Sequence, residues 1–184
     1  MTHQNKTIFL ALGSNEGDRH AMLEQACRLI EEHVGPILQR SSMYETEPWE
    51  MEGAEPFLNQ VIEVTSALPS HNLLSVLLGI ERRLGRCRMP DAGSSIQIPR
   101  PSSNVPRPTY YVSRPIDLDI LFYGSEIVVS PALTIPHPLI AERRFVLVPL
   151  AEISREFVHP GVGKSIEQLL LECEDKGEVK VFGC

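Results

Sequence analysis

The segment Arg114–Gly124, RPIDLDILFYG, constrains this chain more than any other. Ile116, Leu118, Ile120 and Phe122 fall on alternate positions, which predicts a strand with one wholly apolar face. Asp117 and Asp119 occupy the positions between them. Aspartate is depleted in strands, and a buried carboxylate is costly unless something compensates it. Side chains alternate faces along a strand, so the two carboxylates point the same way, with Cα atoms roughly 6–7 Å apart. Like charges at that separation repel unless a cation sits between them. A fold that contains this strand must therefore press its apolar face onto a core and open its acidic face to a cleft or a charged pocket. The compensating cation is either a set of arginines or a metal. Hard oxygen ligands, with phosphates supplying the rest, are how Mg²⁺ is usually held, and two such ions can clamp an in-line transfer.

The elements around this strand follow from periodicity. TIFLALGSN is an apolar strand leading into a turn at Gly13-Ser14-Asn15. Asp18 is placed to cap a helix carrying Met22, Leu23, Ala26, Leu29 and Ile30, which Gly35-Pro36 ends. ILQRSSMYETEPWE begins as a strand and becomes a loop near Pro48, and PFLNQVIEVTSAL alternates as a strand. Ser70 can cap a second helix bearing Leu73, Leu77, Ile80 and Leu84, with Gly85 to end it. After the Asp-bearing strand, EIVVS could pair with it as a hairpin. HPLIAERRFVLVPLAEI predicts one or two helical pieces broken by Pro138 and Pro149, SIEQLLLECED a helix and EVKVF a last strand. The order strand, helix, strand, strand, helix, strand is the β-α-β-β-α-β pattern of ferredoxin-like α+β folds. It predicts an antiparallel sheet with helices on one face, plus an additional C-terminal helix and strand.

Length suits one domain, residues 1–184, with a long Pro/Ser-rich loop at about 86–113. That loop has no helical period and is too long for an ordinary connection, so it is either functional or disordered. The net charge of -7 argues against a nucleic-acid partner. Cys27, Cys87, Cys173 and Cys184 lie far apart, without metal-site or CxxC spacing. No apolar stretch approaches the roughly 20 residues that span a bilayer, and the N-terminus lacks a signal-peptide layout. The expectation is a cytoplasmic protein with reduced thiols and no membrane contact.

Arginines crowd the neighbourhood of the two aspartates. Arg82, Arg83, Arg86 and Arg88 close the second helix, Arg100, Arg107 and Arg114 lie in the loop, and Arg143 and Arg144 follow the strand. Acidic metal ligands flanked by arginines suit a polyphosphate, whose transfer needs positioning and charge neutralisation more than covalent chemistry. ALGSNEGD is not a Walker loop, so this is no P-loop enzyme.

The segments ALGSN, SSMYETEPWE, PFLNQVIEV, IERRLGRCR, RPIDLDILFYG and IPHPLIAERRFVLVPLAEI closely resemble the 6-hydroxymethyl-7,8-dihydropterin pyrophosphokinase family of folate biosynthesis, along nearly the whole chain. The resemblance implies a ferredoxin-like fold. It implies transfer of the β,γ-pyrophosphoryl unit of ATP to 6-hydroxymethyl-7,8-dihydropterin, with release of AMP. It also implies two Mg²⁺ ions between the phosphates and Asp117 and Asp119. Carried over position by position, it makes Phe57 and Phe145 the rings that sandwich the pterin and Asn59 the reader of its edge. Thr46 and the loop through Pro48 and Trp49 then close over the pterin. Arg86, Arg88 and Arg114 match catalytic phosphate contacts, and His137 and Arg143 match further nucleotide contacts. Glu81, Ile120 (through its backbone) and Thr134 match positions near the nucleotide. The chain departs from the family in its longer loop, in Tyr110-Tyr111 where an Arg-Trp pair is frequent, and in Ala132 before the TIPH step. Arg107 is a candidate substitute for the loop arginine. The expected state is a monomer or weak dimer. A ligand-binding regulatory domain of the same topology and a paralogue that binds without turnover are the competing readings; magnesium-dependent AMP formation separates them from the enzyme.

Overall fold

A computed structural model describes residues 5–47, 55–85 and 115–183 of the chain. Its elements in order are β1 (Lys6–Ser14), α1 (Arg19–His33), β2 (Ile37–Arg40), β3 (Tyr44–Thr46), β4 (Phe57–Ser66), α2 (Ser70–Arg83), β5 (Asp117–Tyr123), β6 (Val128–Val129), β7 (Thr134–Ile135), a 3₁₀ turn at Ile140–Glu142, α3 (Arg144–Ser154), α4 (Ile166–Glu172) and β8 (Val179–Val181). One antiparallel sheet runs β5-β1-β4-β3-β8, with β2 also paired to β4.

Local chemistry explains most of the element boundaries. Asp18 caps α1, its carboxylate accepting from the Ala21 N–H at 3.0 Å. Gly85 follows α2 with φ 93°, a conformation that suits glycine at a helix end. Ser165 and Gln168 form a reciprocal capping box on α4. Ser70, in contrast, is the first residue of α2 and makes no cap; Pro69 precedes it with no side-chain bond to the helix. Pro149 does not break the third helix either but lies buried inside α3.

The expected arrangement of helices on one face describes α1 and α2 but not the C-terminal helices. Helices α1 and α2 cover one face, through Leu23, Ile30, Leu73 and Leu77 against Ile8, Leu10, Leu12, Leu58, Ile62 and Leu118. Helices α3 and α4 cover the other, through Val146, Leu147, Leu150 and Leu169 against Phe9, Val61, Leu121 and Phe122. A strand can serve two cores because its successive side chains alternate. The apolar face expected of β5 also needs correction. Its pairing with β1 slips between Phe9 and Leu10, so Leu10 faces Ile120 while Phe9 faces Phe122. Leu121 is the extra residue, and after it Phe122 points to the α3 side with Leu121. The strand after Gly124 does not form a hairpin with β5. β6 pairs with β7 in a separate two-stranded ribbon.

Candidate active site

The face beneath α3 is apolar at one end and open at the other. Phe9, Phe122 and Phe157 fill the closed end, with ring centroids 4.7 to 6.2 Å apart. The open end arises from the middle strand. Gly13 of β1 lies between Asn59 on β4 and Asp117 on β5, and Ala11 lies between Val61 and Asp119. Neither β1 residue has a side chain large enough to fill the space above it. A Cβ on Gly13 would stand 2.9 Å from the Asn59 Oδ1 atom, closer than carbon and oxygen tolerate. The result is a solvent-open cleft lined by both apolar and polar side chains, as small-molecule sites are.

Each wall of the cleft has a distinct chemistry. On one side stand Phe57, Asn59 and Thr46. The Asn59 Nδ2 donates to the Thr46 Oγ1 at 2.7 Å, and both residues are buried. That bond holds the Asn59 side chain over Gly13. Across the floor lie Asp117 and Asp119, half-buried on β5. Above them, Arg143, Phe145 and Val146 come from the start of α3, and His137 from the segment after β7. The Arg143 guanidinium carbon lies 5.6 Å from the Phe145 ring centroid, within cation–π range.

His137 is held as the neutral base. Burial and then the Arg143 charge lower its pKa, Asp117 opposes both, and the net result is about 4. Its Nδ1 accepts from the Leu139 N–H at 3.3 Å, which leaves the proton on Nε2. The backbone N–H of His137 donates to the Leu121 carbonyl at 3.0 Å and fixes the segment against β5.

The two aspartates suit a metal. Two carboxylates at same-face positions of one strand, partly open to a cleft, are the hard oxygen donors that Mg²⁺ prefers. Among the described residues no group of three or more His, Cys, Asp or Glu side chains gathers into a metal cluster. An ion held by Asp117 and Asp119 would thus complete its shell with water and ligand oxygens.

The structure thus brings together Thr46, Phe57, Asn59, Asp117, Asp119, His137, Arg143 and Phe145. Three other residues singled out in the sequence stand apart from this cleft. Glu81 is buried at the end of α2, and its Oε1 accepts from the Leu118 N–H at 2.9 Å along the outer edge of β5. Ile120 is packed in the core on the α1/α2 side. Thr134 is exposed on the β6–β7 ribbon. Arg86, Arg88, Arg114, Pro48, Trp49 and the long loop lie outside the described residues.

The residue reading missed Gly13 and Ala11. It placed Gly13 in a turn, whereas β1 continues through Ser14. The available signal was two small residues at alternate positions of an otherwise bulky strand. Arg19 was missed as well. Its Nη1 donates to the Pro56 carbonyl at 2.6 Å and its Nη2 to the Glu45 carboxylate at 2.7 Å. It thereby ties the end of β3 to the residue before Phe57.

Comparison with known proteins identifies the family. The model of the 7,8-dihydro-6-hydroxymethylpterin-pyrophosphokinase (HPPK) family matches residues 9–155. A 2-amino-4-hydroxy-6-hydroxymethyldihydropteridine pyrophosphokinase of Porphyromonas gingivalis is 38% identical over 154 residues, covering 83% of this chain and 93% of that protein. The protein of the same name from Bacillus subtilis is 37% identical over 153 residues, covering 83% and 80%. Among solved structures, the Plasmodium falciparum HPPK-DHPS A437G crystal structure with SDX-DHP superposes with a TM-score of 0.69 at 17% identity. That match covers 92% of this chain but only 46% of the other, and it speaks for the fold alone. On the matched residues and these identities, the chain belongs to the HPPK family.

Proposed function

We propose that this cleft transfers the β,γ-pyrophosphoryl unit of ATP to the hydroxymethyl oxygen of 6-hydroxymethyl-7,8-dihydropterin. The bond that forms joins that oxygen to the β-phosphorus. The bond that breaks joins the β-phosphorus to the oxygen it shares with the α-phosphate, so AMP leaves with the electron pair. The hydroxyl proton passes to solvent. The observation that carries this reading is the floor around Gly13 and Ala11. It separates an aromatic and amide wall from a carboxylate wall by the width of one strand.

Phe57 and Phe145 line the cleft, where aromatic rings can stack on a flat heterocycle. Asn59 offers a carboxamide to its edge, locked in place by Thr46. Asp117 and Asp119 would hold two Mg²⁺ ions, which would neutralise charge on the transferring phosphates. Arg143 adds positive charge at the phosphate end, while neutral His137 can donate a hydrogen bond from Nε2. Arg86, Arg88 and Arg114 are assigned to the phosphates, and Pro48 and Trp49 to the pterin. Glu81, Ile120 and Thr134 border the nucleotide, Ile120 through its backbone at the outer edge of β5. The sheet order, with β1 between β4 and β5, supports a ferredoxin-like arrangement.

The deciding experiment incubates the protein with ATP, MgCl₂ and the reduced hydroxymethylpterin and follows AMP. Magnesium-dependent AMP release that requires the pterin supports the reading. Pterin binding without AMP would replace it with a binding protein of the same fold.

A further inference from the structure

Helix α3 carries Phe145 and Arg143 over the cleft, yet its first turn receives no cap from its own flanking residues. Arg143 is the N-cap residue and makes no side-chain bond to the helix. The first N–H, that of Arg144, donates instead to the Asp175 Oδ2 at 2.9 Å, from 31 residues further along the chain. The other Asp175 oxygen accepts from the Gly177 N–H at 2.7 Å, which turns the chain. Two residues later β8 begins. It pairs with β3, setting Val179 opposite Thr46 and Val181 opposite Tyr44. Thr46 in turn faces Phe57 across β3 and β4.

We propose that residues 175–181 form a strap that sets the width of the pterin slot, with Asp175 as its positioning residue. One end of the strap grips the helix one residue before Phe145. The other end is stitched to the strand that carries Thr46 and borders Phe57. Only three residues, Lys176, Gly177 and Glu178, separate the grip on α3 from β8, so this short segment couples the two walls of the slot. The far end of α3 is anchored to the same part of the sheet. Glu152 accepts from the Ser42 N–H, the Ser42 hydroxyl and the Tyr44 hydroxyl at 2.8 to 2.9 Å. With Glu152 holding the far end, Asp175 holds the first turn, which carries Phe145, in its place relative to Phe57. The carboxylate also faces the positive end of the helix. Holding the two walls in place before the ligand arrives lowers the ordering cost of binding. The strap lies beyond residues 9–155, which carry the family match.

The inference rests on the pterin reading of the slot, so wild-type AMP release is the control for that reading. Three variants then test the strap: Asp175→Ala, Asp175→Asn, and a chain ending after Gly177. For Asp175→Ala, KM for the pterin should rise about tenfold, since small displacements of a positioning group cost that much or more, while KM for ATP stays within about twofold. Asp175→Asn keeps an accepting oxygen and should recover part of the loss. The shortened chain keeps the cap but lacks β8, and should also lose pterin affinity selectively. If Asp175→Ala fails to fold, Asp175→Asn and the shortened chain decide. The strap is overturned if the folded variants keep a wild-type KM for the pterin, or raise both KM values alike. Wild type without AMP release would remove the pterin reading instead.

Discussion

The two faces of the sheet are built from the same strands, yet one is sealed and the other is open. On the α1/α2 side, β1 offers Ile8, Leu10 and Leu12, all almost fully buried. On the α3 side the same strand offers Phe9, Ala11 and Gly13. Side-chain size falls along that row, and the neighbouring strands add Asn59, Asp117 and Asp119 where it falls. A closed core needs matched volumes. A cleft needs a strand that stops supplying them while its hydrogen bonds continue. The first face therefore governs stability and the second governs ligands, and substitutions should separate the two.

The largest effect should come from the open face. Asp117→Ala and Asp119→Ala should each lower turnover by about 1,000-fold or more, as removal of transition-state charge stabilisation does, with melting temperature little changed. AMP release and thermal unfolding check this together. Near-normal turnover in either variant at millimolar Mg²⁺ would sink the two-aspartate site. Its counterpart on the closed face is Leu10→Ala, which should cost about 2–5 kcal/mol of stability through the cavity it leaves. Denaturant unfolding measures that loss, and the ratio of the two KM values should not move.

Next come the residues of the pterin wall. Phe145→Ala and Asn59→Ala should weaken pterin binding roughly tenfold, the scale of one lost stacking contact, and leave ATP binding nearly intact. Equal losses for both ligands, measured by titration, would point to a damaged fold.

Smaller is the effect of pH through His137. Its folded pKa is lowered to about 4 from the ordinary 6.5. The unfolded chain therefore binds the proton first as pH falls, so stability is full above about 6.5 and declines toward about 4. His137→Gln should flatten unfolding free energy across that window. An unchanged pH slope in the variant would contradict the buried neutral imidazole.

The smallest effect compares two glycines. A Cβ at Gly79, on α2, meets nothing within 4 Å, so Gly79→Ala should stabilise by about 0.5–1 kcal/mol. Gly13→Ala meets the Asn59 Oδ1 at 2.9 Å and should impair pterin affinity without that gain. Stabilisation of both by the same amount would mean that the floor of the cleft tolerates a methyl group.

What was legible in the sequence follows from which patterns are local. The DLD step was legible from period-two alternation alone, whereas Phe57, Asn59 and His137 were legible only through the family resemblance; residues of all three segments line the cleft. Phe122 was misplaced because alternation assumes an unbroken register, and one extra residue at Leu121 reverses every face beyond it. The face taken by α3 and α4 was not legible, because amphipathicity identifies the buried stripe of a helix but not the sheet face it meets. Asp175 was out of reach for a different reason. A cap donated across 31 residues has no short-range signature. Arg19 shares that limit, because its partners Glu45 and Pro56 are neighbours only in space.

The Glu81 carboxylate on the Leu118 N–H also bears on the exposed edge of the sheet. Among the described residues β5 is the last strand of its sheet, and such a strand normally displays a row of backbone groups that another chain can extend. Here a buried acid from α2 occupies the Leu118 position, and the His137 N–H occupies the Leu121 carbonyl. Only Asp119 and Ile120 lie between these two plugs, too short a run to template an incoming strand. The strand that carries the acidic pair is thus shielded against edge-to-edge aggregation by the same contacts that hold it in place.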